Sequence, residues 1–357
     1  MVYNLKKIAE ESGYSISTVS RVINGKGKIS RETQERILKI AQEHNYVPNQ
    51  VARSLKSSKT NTIGIIIPDI EDYFPMFIKA ADAVFSEAGY SILLADSHES
   101  PLKEDSYIRL MYEKRVDGLI LATVSGNQDA LNMYFGSSVP VIFIDNLPNV
   151  DAAYEDCVLL DNSRASAMAV ECLMREGHKR IAIIYGNERE TTGMERIQGY
   201  IHSLQKYGME VDSRLMKTGN YQEQGGYNCM KELIENRGAA PFSAVYVSSY
   251  KMSCGALRAI KEMGLKIPDD VAVIAFDFMD STGMISPVIT TITQPTENIG
   301  NIVAHRMLSR IRAGRETGQG EPVKDIAQKI ILAPEILEGE SSKYVCHVQT
   351  PAADEEN

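Results

Sequence analysis

The stretch Ser15-Ile16-Ser17-Thr18-Val19-Ser20-Arg21-Val22-Ile23-Asn24-Gly25 sets four hydroxyls and an arginine among four aliphatic residues. A helix that only fills a core has no need of so many hydroxyls beside an arginine. One that lies on a polar, anionic surface does. Working outward, residues 5–11 (LKKIAEE) carry a helical pattern with Leu5, Ile8 and Ala9 inward, and Gly13 permits a tight turn at positive φ. Ser15 caps the next helix by accepting a backbone N–H bond, and Ser30 caps a third over 31–44 with Ile37, Leu38 and Ala41 inward. Three short helices with a turn at Gly13 fit a helix-turn-helix, whose second helix enters the major groove with its leading residues on base edges. Ile16 and Ser17 stand at that leading end beside Arg21. Arginine reads guanine bidentately, and isoleucine can touch a thymine methyl. Thr18, Ser20 and Asn24 are assigned to phosphates, which fix register rather than sequence.

Charge supports this. The 357-residue chain has a formal charge of −9, but residues 1–60 hold seven Lys and four Arg against five Glu, a balance of +6, leaving −15 for the rest. A basic head on an acidic body suits a small polyanion-binding module joined to a soluble domain. Length alone predicts two or three domains. The five cysteines (157, 172, 229, 254 and 346) are odd in number and contain no C-x-x-C pair, which suits buried thiols in a reducing compartment. The first residues (MVYNLKKIAEESG) lack the apolar run of a signal peptide and no stretch reaches membrane-spanning length, so the expectation is a cytoplasmic protein.

From residue 61 the rhythm changes. Apolar runs such as IGIIIPDI (63–70), YSILLAD (90–96), DGLILAT (117–123) and VPVIFID (139–145) alternate with helical segments at 74–88 and 101–114. The alternation resumes after 161 with RIAIIYG (180–186), SAVYVSS (243–249) and VAVIAFD (271–277), among helices at 163–176, 193–207, 224–237 and 252–263. Repeated βαβ units imply two doubly wound parallel sheets with helices on both faces. Ligands on such sheets bind beyond the carboxyl ends of the strands, here a crevice between the halves. The tail, 341–357, reads as disordered.

Enzyme chemistry finds little support: there is no G-x-x-x-x-G-K-[ST], H-E-x-x-H or G-x-S-x-G, and the six histidines are dispersed. No metal or cofactor is implied. His178 follows a Gly helix stop and reads as structural.

The runs TVSRVIN (18–24), NYVPNQVARSLK (45–56), IGIIIPDI (63–70), VDGLIL (116–121), GHKRIA (177–182), RIQGY (196–200), IPDDVAVIAFD (267–277) and TTITQP (290–295) resemble the lactose-repressor/galactose-repressor (LacI/GalR) family in order, over about residues 3–338. The resemblance implies a DNA-binding transcription regulator, a repressor, with an effector domain like type I periplasmic binding proteins. It implies a helix-turn-helix domain at 1–47, a hinge at 48–60 and an effector-binding and dimerisation domain at 61–340. That last domain divides into an N-subdomain (about 61–161 and 294–320) and a C-subdomain (about 162–293 and 321–340).

In such proteins the hinge is a helix that orders on operator DNA and wedges a leucine into the minor groove. Leu55 takes that place here, with Asn49 and Lys56 as further DNA contacts. By position, the family's effector contacts fall on Tyr73, Phe74, Asp145, Thr192, Arg196, Tyr221 and Asp277. Departures are Asp72 for a common Asn, Ser249-Tyr250 for Asn-Asp, and Ala275-Phe276-Asp277-Phe278 for a Gly-Phe-Asp-Asp/Asn run. They leave a sugar, a sugar phosphate or a purine open as effector of a homodimer on a near-palindromic operator. Control by a partner protein, and ligand binding without regulation, are the competing readings. The tail has no Leu heptads that would make a tetramer.

Overall fold

The computed structural model describes residues 4–25, 27–46, 59–71, 73–124, 128–135, 137–148, 156–280, 283–316 and 327–343. It divides into two units, Met1–Thr60 and Asn61–Asn357.

The first unit is three helices, α1 (Leu5–Ser12), α2 (Ile16–Ile23) and α3 (Arg31–Glu43). Each begins on a side-chain cap: Asn4 accepts from the Lys7 amide, Ser15 from Thr18 and Ser30 from Thr33. Gly13 closes α1 at φ +77°, where a Cβ would be strained. Ile8, Ala9, Val19, Val22, Ile37, Ile40 and Ala41 make the small core. Leu38, expected inward, is 49% exposed, and Ile40 takes its place. At 100° per residue, positions 37, 40 and 41 share one face and 38 turns away from it.

The second unit holds two α/β lobes. The first lobe is built from β1 (Thr62–Ile67), α4 (Phe74–Glu87), β2 (Ser91–Asp96), α5 (Pro101–Glu113), β3 (Gly118–Leu121), α6 (Gln128–Phe135), β4 (Val141–Ile144) and β5 (Asp156–Leu160). The chain then crosses into α7 (Asn162–Arg175), β6 (Ile181–Tyr185), α8 (Thr191–Lys206), β7 (Met216–Thr218), α9 (Glu223–Glu235), β8 (Ala244–Val247), α10 (Tyr250–Glu262), β9 (Ala272–Phe276) and β10 (Thr290–Thr293). It returns as α11 (Thr296–Glu316) and ends in β11 (Lys329–Leu332) and β12 (Glu335–Leu337). Two six-stranded sheets result, in the orders β11-β5-β4-β3-β1-β2 and β12-β10-β9-β8-β6-β7. The described pairings are parallel except β10 with β12.

Both sheets are covered on both faces. α4 and α11 bury Phe77, Phe85, Val303 and Met307 against one face of the first sheet, and α5 and α6 bury Ile108, Met111, Leu131 and Tyr134 on the other. α7 with α8, and α9 with α10, do the same for the second sheet. The last pair packs backbone to backbone, since a Cβ on Gly255 would overlap the Glu223 carbonyl. A fully buried phenylalanine contributes about 1.5–3 kcal/mol in such a core. Arg306 and Arg310 of α11 reach the buried Asp156 of β5 at 2.9 and 3.1 Å, tying that helix to its sheet.

Three expectations need correction. Lys329–Leu332, read with the second half, pairs with β5 in the first sheet, because the chain crosses back once more before β12. β5, β7 and the helix α6 were not distinguished in the sequence; β7 spans only three residues with little apolar content. Residues 341–343, read as disordered tail, are ordered: Ser341 donates from Oγ to the Val273 carbonyl at 2.6 Å, and Ser342 is buried beside it. His178 is structural as read, buried between Ser243 Oγ at 2.9 Å and the Ser342 carbonyl at 3.3 Å. Among the described residues no helix is long and apolar enough to cross a membrane.

Candidate DNA-reading helix and effector cleft

On α2 the side chains divide by exposure. Val19 and Val22 are buried, Thr18, Ser20 and Asn24 are half-buried, and Ile16, Ser17 and Arg21 are exposed, Ile16 to 50%. Ser17 and Arg21 are one helical turn apart on one face. Neither makes a side-chain hydrogen bond or ion pair among the described residues, which leaves a cationic, hydrogen-bonding face unpartnered. Thr18 shares a hydrogen bond of 2.9 Å with the cap Ser15, and the Asn24 amide donates to the Ser20 carbonyl at 2.6 Å. Those three serve the helix ends as well as any phosphate. Asn49, Leu55, Lys56 and the hinge lie outside the described residues.

The second constellation lies between the lobes of the body, in a cleft with about 600 Å³ of empty space counted to its open mouth. All seven expected effector residues line it. They sit where a doubly wound sheet places them, beyond strand carboxyl ends. Tyr73 caps α4 after β1, Asp145 follows β4, Thr192 and Arg196 lie on the first turns of α8 after β6, Tyr221 follows β7, and Asp277 follows β9. Phe74 is both wall and core, stacked on Tyr73 at 4.2 Å between centroids and edge-on to Phe77.

Arg196 is the centre. It is 4% exposed, its guanidinium lies 3.8 Å above the Phe276 ring, Nε donates to Asn162 Oδ1 at 2.8 Å and Nη1 to the Ser248 carbonyl at 2.6 Å. The third nitrogen has no hydrogen bond among the described residues. Asp277 accepts from the Gln294 amide nitrogen and side chain at 3.1 and 2.7 Å. Burial pushes its carboxyl up to about 6, against the pull of Gln294 and Arg196. Burial likewise raises Asp145, with Arg196 and the Tyr73 hydroxyl opposing. Thr192 and Tyr221 share a hydrogen bond of 2.9 Å, and burial raises the Tyr221 phenol.

Sequence reasoning missed several residues that complete the cleft. Asn146 of the first lobe binds the second by accepting from the Thr192 amide and the Thr191 hydroxyl at 3.0 and 3.1 Å. Lys251 of α10 ion-pairs across the cleft with Asp69, with Glu71 at 3.7 Å. Glu99, Glu190 and Gln294 also face the cavity. One signal appears only in the backbone. Glu99, Asp145, Tyr221 and Asp277 all have φ between +52° and +62°, a region non-glycine residues seldom enter. Such strain clusters at binding sites, where the surrounding fold holds it in place. Asp72, a departure noted in the sequence, lies outside the described residues. Among the described residues no group of His, Cys, Asp and Glu is arranged to hold a metal ion.

Comparison with known proteins covers both units of the chain. Residues 4–49 match the family described as bacterial regulatory proteins, lacI family. Residues 60–324 match periplasmic binding proteins and sugar binding domain of LacI family. The chain is 31% identical over 334 residues to the HTH-type transcriptional repressor PurR of Histophilus somni (strain 129Pt), covering 92% of this chain and 97% of that one. It is similar to the structure of a transcriptional regulator CelR–cellobiose complex, with a TM-score of 0.70, 27% identity, and 95% and 99% of the two chains covered. It shares the fold of the lac repressor dimer bound to operator and an anti-inducer, with a TM-score of 0.81 at 21% identity over 96% and 100% of the chains. The chain thus belongs to the LacI family of bacterial regulatory proteins: it is a DNA-binding transcriptional repressor with an effector-binding domain, not an enzyme.

Proposed function

We propose that the chain acts as a cytoplasmic homodimer, each head reading one half-site of a near-palindromic operator. A two-fold protein demands a two-fold site. Ile16, Ser17 and Arg21 read bases, and Thr18, Ser20 and Asn24 hold phosphates. Asn49, Leu55 and Lys56 of the hinge complete the contact. The effector is a small hydroxylated molecule in the body cleft. Tyr73, Phe74 and Phe276 offer it ring faces, Arg196 and Asp277 take its hydroxyls, and Asp145, Thr192 and Tyr221 fill the remaining wall.

The observation that carries this reading is the convergence on one cleft of side chains from both lobes around a buried, preorganised arginine. A ligand touching both lobes changes the angle between them, and an equilibrium moves only by a ligand's differential affinity for its two states. The coupling is reciprocal, so operator changes effector affinity by the same factor.

The test is a binding selection at fixed salt on fragments of the source genome, followed by titration of metabolites against the selected site. Recovery of a near-palindrome of about 14–20 base pairs, with operator affinity moved by a metabolite, is expected. Fragments with no shared half-site in either condition would remove operator reading. An operator that no metabolite moves, but that a partner protein does, would hand control to that partner.

A further inference from the structure

Asking which cation neutralises each carboxylate divides the cleft. Lys251 ion-pairs with Asp69 and lies 3.7 Å from Glu71, and Arg196 opposes the upward shift of Asp145 and Asp277. Glu99 and Glu190 have no ion pair among the described residues, and only Glu99 feels a cation, Lys251, through space. They approach from opposite lobes, Glu99 from the turn after β2 and Glu190 from the residue that precedes α8. Among the described residues Glu190 accepts from the Asn187 and Asn146 side-chain amides, at 3.2 and 3.3 Å. Glu99 makes no side-chain hydrogen bond among the described residues. Burial, with Glu99 and Asp145 repelling, raises Glu190 to about 8. Burial, with Asp145, Asp69 and Asp96 repelling and Lys251 partly offsetting them, raises Glu99 to about 7. Two carboxylates that face each other across an open cavity, each neutral only by holding a proton, make a seat for a cation that can enter from solvent.

We propose that the effector is an amino polyol of hexosamine type, whose ammonium group seats between Glu99 and Glu190 while its hydroxyls meet Arg196 and Asp277. The assignment rests on the cleft being the effector site. An ammonium has three N–H donors, enough to bond both carboxylates and an amide oxygen at once. Charge-assisted bonds of this kind are about twice as strong as neutral ones. A phosphate ester fares worse, since it meets Asp69, Glu99, Asp145, Glu190 and Asp277, while among the described residues of the cleft Lys251 is already paired with Asp69 and Arg196 has two of its three nitrogens bonded to Asn162 and Ser248. Because the two glutamates belong to different lobes, the same ammonium also ties the lobes together. Charge on the ligand is thereby linked to lobe closure.

Calorimetric titration of the full chain with glucosamine, galactosamine and mannosamine, each beside its parent sugar, and with glucose 6-phosphate, tests this. At least one amine is expected to bind with its parent sugar tenfold weaker or more. The Glu99→Gln/Glu190→Gln double variant is expected to weaken that amine at least tenfold and to make it equal to the parent sugar. Its melting temperature should not fall, because a repulsion is removed. A parent sugar or the phosphate ester binding as tightly as the amines, no amine binding at all, or a preference that survives in the double variant would each overturn the proposal. Asp277→Asn separates that failure from failure of the cleft. If a neutral sugar binds and Asp277→Asn weakens it, the effector site stands and only the amine is wrong. If a sugar binds and neither variant changes its affinity, the cleft is not where it binds.

Discussion

Two arginines do opposite things in this molecule. Arg21, on the reading helix, is exposed and has no hydrogen bond or ion pair among the described residues. Arg196, in the cleft, is buried, stacked on Phe276 and held at two nitrogens by Asn162 and Ser248. The difference follows from the partner. DNA is a polyanion that supplies the counter-charge itself, so an arginine that reads it costs nothing to leave solvated. A small molecule offers few contacts, so the protein must fix the arginine beforehand or lose the binding energy in ordering it. The head therefore carries its function on a surface and the body carries it in its packing.

The largest expected effect is that of Arg196→Ala, which leaves Asp145 and Asp277 without their shared cation. It also leaves Asn162 Oδ1 and the buried Ser248 carbonyl without their donors, and each buried polar group left unsatisfied costs about 1–3 kcal/mol. Thermal unfolding of the body should show a large fall in Tm, and operator binding should no longer respond to any effector. A normal response with an unchanged Tm would erase the distinction drawn between the arginines. Arg21→Ala is the smaller counterpart. It should cost about 1–3 kcal/mol of operator discrimination, leave the Tm within measurement, and retain salt-sensitive binding to random DNA. Equal loss on operator and random sequence would show that Arg21 contacts phosphate rather than base.

Ser15→Ala removes the cap of α2 and should cost about 1 kcal/mol, seen as a lower melting point of the head while the body is unchanged. The last effect is electrostatic. Glu190 holds its proton up to about 8 in the folded chain against an ordinary 4.5, and Glu99 up to about 7. Between about 4.5 and 8 the folded state thus binds more protons than the unfolded one, and stability declines as pH rises through that window. Glu190→Gln should flatten this decline. A slope that steepens instead would mean that the carboxylate is already ionised in the closed cleft.

The head was the more legible part because its structure is local. Ser15 and Ser30 cap their helices by accepting from amides three residues further on, so sequence spacing is enough to see them; Asn4 does the same for α1. The exception, Leu38 against Ile40, is one of helical phase: 38 lies one turn from 41 but on the edge away from 37, while 40 falls on the face that 37 and 41 share. In the body, the alternation of apolar runs and amphipathic helices announced two doubly wound sheets, and the ends of their strands announced where a ligand would go. The seven cleft residues were named by likeness to a family, not by any local pattern around them.

What the sequence by itself determined was therefore the head's helices and caps, its basic charge, the two sheets and the family. What only the tertiary structure decided was the company each cleft residue keeps. Asp69, Glu99, Asp145, Glu190, Lys251 and Asp277 are scattered over two hundred residues and meet because separate strands end at one crevice. Whether a carboxylate there is paired with a cation, held by an amide or left to face another carboxylate depends on distances across that crevice and on exclusion of water. Electrostatic energy varies with both, and neither is written along the chain.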